Sequence, residues 1–220
     1  MTTDWTSLLP VLGESFQQTI YMVAITVLLS GLAGLALGVT LYATRPGNLF
    51  ANKAVFSVLN FLVNIIRPIP FIIFITAIAP LTLIIMGTTI GTTAAILPMA
   101  LMAGVVIGRV VEQNLVASDP GVVEAARAMG DSRLHILWAV VIPESLAPLI
   151  LGYTFMIIAI VDMSAMAGYI GGGGLGNFAI MYGYQQFNWE VTLVTVLIII
   201  VMVQAAQLLG NFLAQRILRR

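Results

Sequence analysis

Glu124-Ala125-Ala126-Arg127-Ala128-Met129-Gly130, then nine residues, then Val140-Val141-Ile142-Pro143, forms the centre of the one long polar stretch in this chain, residues 109–144. Asp119-Pro120 reads as a helix start, because Asp can cap free N–H groups and Pro suits the first helical position. Val122, Val123, Ala125, Ala126 and Met129 supply an apolar surface, and Glu124 and Arg127 are expected to face outward. Gly130 stands where that helix must stop, since glycine takes the left-handed conformation without a Cβ penalty. Asp131 or Ser132 can cap a second helix, with Leu134, Leu137, Trp138 and Val141 at helical spacing on one face. Two short helices around a glycine, held between apolar flanks, make a device projected from a membrane toward a partner. The bland alternative is a surface helix pair that merely links two spans.

The flanks place the device in a membrane protein. The chain has 60% hydrophobic and only 8% charged residues, with a mean hydropathy of +1.06. A soluble domain carries about 25% charged residues, so this chain cannot cover its surface in water. Its 220 residues suffice for about five spans of roughly 20 residues plus one substantial loop. It contains no cysteine, which excludes disulfide and thiolate chemistry. The N-terminus lacks the cations of a signal peptide and its first apolar run is too long for one, so that run is expected to stay as a span.

Five all-α spans are expected: about residues 19–44, 54–80, a third ending near 108, 145–170, and a fifth from about 190 to 214. The second is interrupted by Arg67-Pro68-Ile69-Pro70, and a turn at Met86-Gly87-Thr88 precedes the third. The expected division is a short extracytoplasmic segment 1–18, a transmembrane domain 19–215 that includes the cytoplasmic segment 109–144, and a basic tail 216–220. With five spans, Arg45, Lys53, Arg109, Arg127, Arg133 and the C-terminal arginines fall on one side and no Lys or Arg falls on the other. The positive-inside rule then puts the N-terminus outside and the C-terminus in the cytoplasm. Gly34 with Gly38 and Gly104 with Gly108 are small-xxx-small pairs suited to close helix packing. No internal repeat is evident, which weighs against an inverted-repeat secondary transporter.

The polar segment resembles the E-A-A motif of ATP-binding cassette importer permeases: Glu-Ala-Ala, three residues, Gly, nine residues, then Ile-x-Leu-Pro. Glu124, Ala125, Ala126, Gly130 and Pro143 match, while Val140 and Ile142 stand in for the Ile and Leu. Arg45-Pro46-Gly47, Asn64-Ile65-Ile66-Arg67-Pro68-Ile69-Pro70-Phe71-Ile72-Ile73, Ser164-Ala165-Met166-Ala167-Gly168 and Gly173-Gly174-Leu175-Gly176 look like the methionine importer permeases. The resemblance implies a type I importer-like permease in a bacterial cytoplasmic (inner) membrane, translocating L- or D-methionine by alternating access. It implies a homodimer of permeases with two cytoplasmic ATP-binding subunits and an extracytoplasmic substrate-binding protein. This chain would then be no enzyme and bind no cofactor, with ATP and Mg2+ held by the partner subunits. Glu124, Ala125, Ala126, Arg127, Met129 and Gly130 would be the residues that couple to the ATPase. A permease for another solute, an ion-coupled transporter and, more distantly, an intramembrane enzyme are the alternatives.

Inside the spans, Arg67 is the only buried-depth cation and Asp162 the only such carboxylate, both about 20 to 25 Å from their cytoplasmic ends. Such charges need a partner, water or a neutral form. They are expected to approach one another or to line one polar cavity, unless carbonyls freed near Pro68 and Pro70 satisfy Arg67. Met163 and Met166 offer flexible, polarizable side chains for a constriction, and the resemblance favours Met166 as the gate. Core packing is the ordinary explanation for either methionine.

Other signals lead elsewhere. Residues 171–176 satisfy G-x-G-x-x-G formally, but no strand precedes them. They are better read as a flexible outer loop, or one lying beneath the binding protein. No G-x-x-x-x-G-K-[ST] occurs, which points to a separate motor subunit, and nothing suggests nucleic acid. His135 is the single histidine, and with no Cys and no carboxylate cluster at ligand spacing no metal site is expected, nor does a triad assemble around an obvious activated nucleophile.

Overall fold

Asp4 caps the first helix: Thr6 donates both its hydroxyl and its backbone N–H to the Asp4 carboxylate, and these bonds hold that carboxyl below its ordinary pKa. The computed structural model describes residues 3–218, and every regular element among them is helical. Helix α1 (Trp5–Thr44) is continuous over 40 residues, about 60 Å at 1.5 Å per residue. The region expected to precede the first span is thus helical over residues 5–18. Helices α5 (Thr92–Val116), α9 (Leu146–Ala167) and α11 (Trp189–Leu218) are the other long elements.

The second span is a broken one. Helix α2 (Lys53–Ile66) starts at the Asn52 cap and α3 (Phe71–Ala77) leaves it at an angle of 107°. Pro68 and Pro70 lack the N–H groups needed to continue α2, so the ladder ends at Arg67 and restarts after Pro70. Helix α4 (Ala79–Met86) begins with Pro80 near its first position and ends at Gly87, whose φ is +73°. Among the described residues four helices, or five segments counting the bent pair as one, are long and apolar enough to cross a membrane.

The core forms where α1 crosses α5. A Cβ on Gly34 would lie 2.5 Å from Ile107, and one on Gly38 would lie 2.5 Å from the Gly108 carbonyl and from Val111. The two small-residue pairs therefore meet face to face, tightly at Gly34, Gly38 and Gly108 and with room for a methyl group at Gly104. Met22, Met99, Ile107, Met156 and Ile160 fill the space around the crossing, and all are fully buried. At the end where α1 and α5 carry Arg45 and Arg109, a polar segment leaves the bundle. At the opposite end, Thr3 and Trp5 donate to the Glu190 carboxylate at 2.6 and 3.0 Å, fastening α1 to the start of α11.

The glycine-rich stretch is not the loose loop expected. The chain kinks after α9, where Ile170 and Gly171 leave helical geometry (Gly171 φ +97°), and restarts as α10 (Gly174–Phe178). Gly174 and Leu175 donate their N–H groups to Gln18 Oε1 and Thr19 Oγ1 at 2.7 and 2.8 Å. Gly172, Gly174, Leu175, Gly176 and Phe178 are buried. The absence of side chains serves close packing against α1 here, since a Cβ on Gly174 would sit 2.7 Å from Thr19 Oγ1 and 2.9 Å from Met22 Cε.

Candidate functional site

Helix α6 (Pro120–Ala128) is built as its residues require. Asp119 Oδ1 accepts the Gly121 N–H at 2.8 Å, and Pro120 occupies the first turn without wasting a donor. At the other end Gly130 N–H reaches the Arg127 carbonyl and Asp131 N–H reaches the Ala126 carbonyl, at 3.0 and 3.2 Å. This is the paired stop that demands a left-handed residue, and Gly130 supplies it with φ +85°.

The expected apolar surface of α6 is divided between two faces. Ala126 is buried and Val123 half-buried against the bundle, because they lie three residues apart on its inner side. Val122, Ala125 and Met129 point the other way with Glu124 and Arg127, and Met129 is 78% exposed. A small-residue ridge with an apolar tip and two charges thus stands clear of the protein.

The second half of the segment departs from expectation. Ser132 Oγ caps it by accepting the His135 N–H at 3.2 Å. After α7 (Arg133–His135) the chain widens into a π-helix, Ile136–Val141, before α8 (Ile142–Glu144). In a π-turn residues five apart stack, so Ile136 and Val141 face inward together with Leu137. Leu134 and Trp138, expected on the same apolar face, are instead 61% and 59% exposed.

Beneath α6 lies a polar cluster that sequence reasoning missed. The Glu112 carboxylate is 2% exposed and is paired with Arg109, one turn earlier on α5, and with Arg45 at 3.7 Å. Arg109 also donates to Asn60 and Asn64 of α2, at 2.6 and 2.9 Å. One buried carboxylate therefore joins the ends of α1 and α5 to the middle of α2. A cleft of about 240 Å³ separates this region from α6, with Arg45, Asn48, Val123, Glu124 and Arg127 on its walls. The only advance signal was the i, i+3 spacing of Arg109 and Glu112.

The residues expected to line a pathway lie on a different surface. Along α9, Leu151, Phe155, Asp162 and Met166, with Tyr169 beyond its end, are exposed at intervals of three, four and seven residues. They form one stripe turned away from α1, α5 and α11, and Phe155 and Tyr169 are its most exposed members at 66% and 63%. Met163 is half-buried beside the stripe, packed against the core. Arg67, at the bend after α2, is also exposed. Among the described residues Arg67 and Asp162 form no ion pair within the chain, so the expected pairing is not found inside one copy.

Three comparisons bear on this arrangement. Residues 34–220 match the family model described as "Binding-protein-dependent transport system inner membrane component". A probable D-methionine transport system permease protein of Vibrio cholerae is 41% identical over 200 residues, covering 91% of this chain and 89% of that protein. The methionine import system permease protein of Bacillus subtilis is 41% identical over 82% of this chain and 81% of its own length. A chain from inward-facing conformations of the MetNI methionine ABC transporter superposes with a TM-score of 0.93 at 34% identity, over 98% of this chain and 99% of that one.

Proposed function

We propose that this chain, which belongs to the family of binding-protein-dependent transport system inner membrane components, is the membrane-spanning permease subunit of an ATP-driven methionine importer. The observation that carries the reading is α6: a glycine-stopped Glu-Ala-Ala helix standing clear of an apolar bundle. Such an exposed helix gives a soluble motor a handle by which to move a bundle of apolar helices.

In this reading α6 is the coupling helix, and the end of the bundle bearing Arg45, Arg109 and Arg127 faces the cytoplasm. Ala125 and Met129 enter a groove of the ATP-binding subunit, and Glu124 and Arg127 set the register. Gly130 fixes where the helix stops, and Ala126 and Val123 transmit its displacement to the core. The buried Glu112 cluster carries that displacement to α1 and α2.

Two copies face each other through the α9 stripe and the exposed faces of α2 to α4. Their shared boundary is the pathway, with Met166 as the gate, Met163 beside it, and Asp162 and Arg67 as its polar lining. Met166 suits this role because an unbranched thioether re-forms a seal around a moving apolar solute. The two charges remain hydrated or meet across the two copies, which fits their exposure in the single chain. ATP and Mg2+ belong to the two ATP-binding subunits, and a substrate-binding protein delivers methionine at the glycine-rich end. Closure of the ATP-binding subunits draws the two α6 helices together and opens the pathway outward; their separation returns it inward.

The test is uptake of labelled methionine in a host stripped of its own importers and supplied with this chain and its cognate ATP-binding subunit and binding protein. Saturable uptake that disappears when the chain is omitted supports the reading. Uptake of a different solute with methionine untouched overturns its substrate.

A further inference from the structure

The outer face of α11 is the least enclosed of the long helices, with 11% of its most apolar stretch buried. Between this helix, α9 and α1 runs a groove of about 590 Å³, whose walls include Leu28, Leu32, Leu146, Tyr153, Leu209 and Leu213. It exists because two close approaches hold the helices while leaving their outer edges apart. Gly31 lies under the Tyr153 ring, whose hydroxyl donates to the Gly31 carbonyl at 2.8 Å. Gly210 lies directly on Thr154. A second groove of about 710 Å³ continues toward the glycine-rich end, and the two meet at Ile157 and Ala206.

The lower groove has the dimensions of one leaflet. From Leu146 to Ile157 α9 rises about 16 Å at 1.5 Å per residue, close to half of a hydrocarbon core about 30 Å thick. Two ionisable residues stand at its mouth: Arg216 on α11, and Glu144, exposed between the lining residues Ile142 and Leu146. Leu209, Leu213 and Arg216 follow at i, i+4 and i+7 along one face of α11. The Arg216 guanidinium rests over the Phe212 ring, 5.2 Å from its centroid. Arg216 is exposed and has no carboxylate partner among the described residues. The opposite end has no cation: the charged residues within α1 and α11 there are the carboxylates Glu14 and Glu190.

We propose that the lower groove seats one acyl chain of an anionic phospholipid, whose phosphate is paired by Arg216. The upper groove, which has no cation at its end, selects no anionic headgroup. The inference rests on the chain spanning a bilayer and is independent of the transported solute and of which end faces the cytoplasm. One cation near a membrane surface contributes an attraction that corresponds to a preference on the order of fivefold.

The experiment uses the assembled transporter in nanodiscs made from equal parts phosphatidylglycerol and phosphatidylcholine with matched acyl chains. Lipids retained after release into mild detergent are counted by native mass spectrometry. Wild type should retain phosphatidylglycerol about fivefold over phosphatidylcholine. Arg216→Gln should lose the preference while Arg216→Lys keeps it, and Ala206→Phe should lower retention of both lipids. Equal retention by wild type, or an undiminished preference in Arg216→Gln, overturns the proposal. Methionine uptake is not read in this assay, so its failure leaves the transport reading to its own test.

Discussion

Gly38→Ala and Gly104→Ala differ by one methyl group placed on opposite sides of the same helix crossing, and they should have opposite effects. At Gly38 the new Cβ would lie 2.5 Å from the Gly108 carbonyl oxygen and from Val111, inside any permissible contact. A backbone oxygen cannot rotate aside, so α1 and α5 must separate by about 1 Å, at an overpacking cost of about 1 to 3 kcal/mol. At Gly104 the nearest atoms to a Cβ are Ala33 and Ser30 at 3.8 Å, an ordinary contact. There the methyl group adds packing and removes a helix-interior glycine, a gain of up to about 1 kcal/mol. Thermal or dodecyl-sulfate unfolding of the purified chain in one detergent measures the difference. Gly38→Ala should unfold earlier than wild type and Gly104→Ala no earlier. Equal losses in the two variants would refute the argument that the approach of α1 to α5 is limited at Gly38 and free at Gly104.

Other perturbations address the coupling segment and the pathway. Gly130→Ala meets no steric obstacle, since nothing lies within 4 Å of the new Cβ, yet φ +85° imposes about 1 to 2 kcal/mol of strain. Methionine uptake should fall severalfold with normal membrane levels, and Gly130→Asn should fall less; equal uptake by Ala and Gly would contradict this. Glu112→Ala leaves the 14%-exposed Arg109 without its carboxylate and should cost about 3 kcal/mol or more, whereas Glu112→Gln retains an acceptor and should cost less. The two are compared by yield of monodisperse protein and by midpoint temperature. Met166→Trp should block uptake while the ATP-binding subunit still copurifies; undiminished uptake would remove Met166 from the gate.

Much of the architecture was legible because hydropathy and charge act locally. Each long span was visible as an uninterrupted apolar run, and Asp119, Pro120 and Gly130 mark the ends of α6 with residues whose backbone needs are specific. The full length of α1 was hidden by its polar residues Glu14, Gln17 and Gln18, which give no hydropathy signal although Asp4 caps the helix properly. Pro68 and Pro70 announced a break, but the 107° turn depends on what α3 packs against. The outward turn of Leu134 and Trp138 arises from a π-helix, whose hydrogen bonding leaves no periodic signature in six residues. The glycine stretch was legible as unusual; its docking on Gln18 and Thr19 joins residues 156 positions apart. Separation in sequence also concealed the Glu112 cluster, whose asparagines lie 45 and 49 positions from Arg109 on another helix.

The absence of cysteine from the chain makes the most direct test of the central claim a labelling experiment. Met129→Cys puts a thiol at the exposed tip of α6, and Phe187→Cys puts one at an 80%-exposed position near the start of α11. Maleimide labelling is timed for each variant alone and after assembly with the cognate ATP-binding subunit. Coupling through α6 predicts that assembly protects the thiol at position 129 at least tenfold and leaves the one at 187 unchanged. Equal labelling at 129 with and without the bound ATP-binding subunit would show that the motor grips the permease elsewhere.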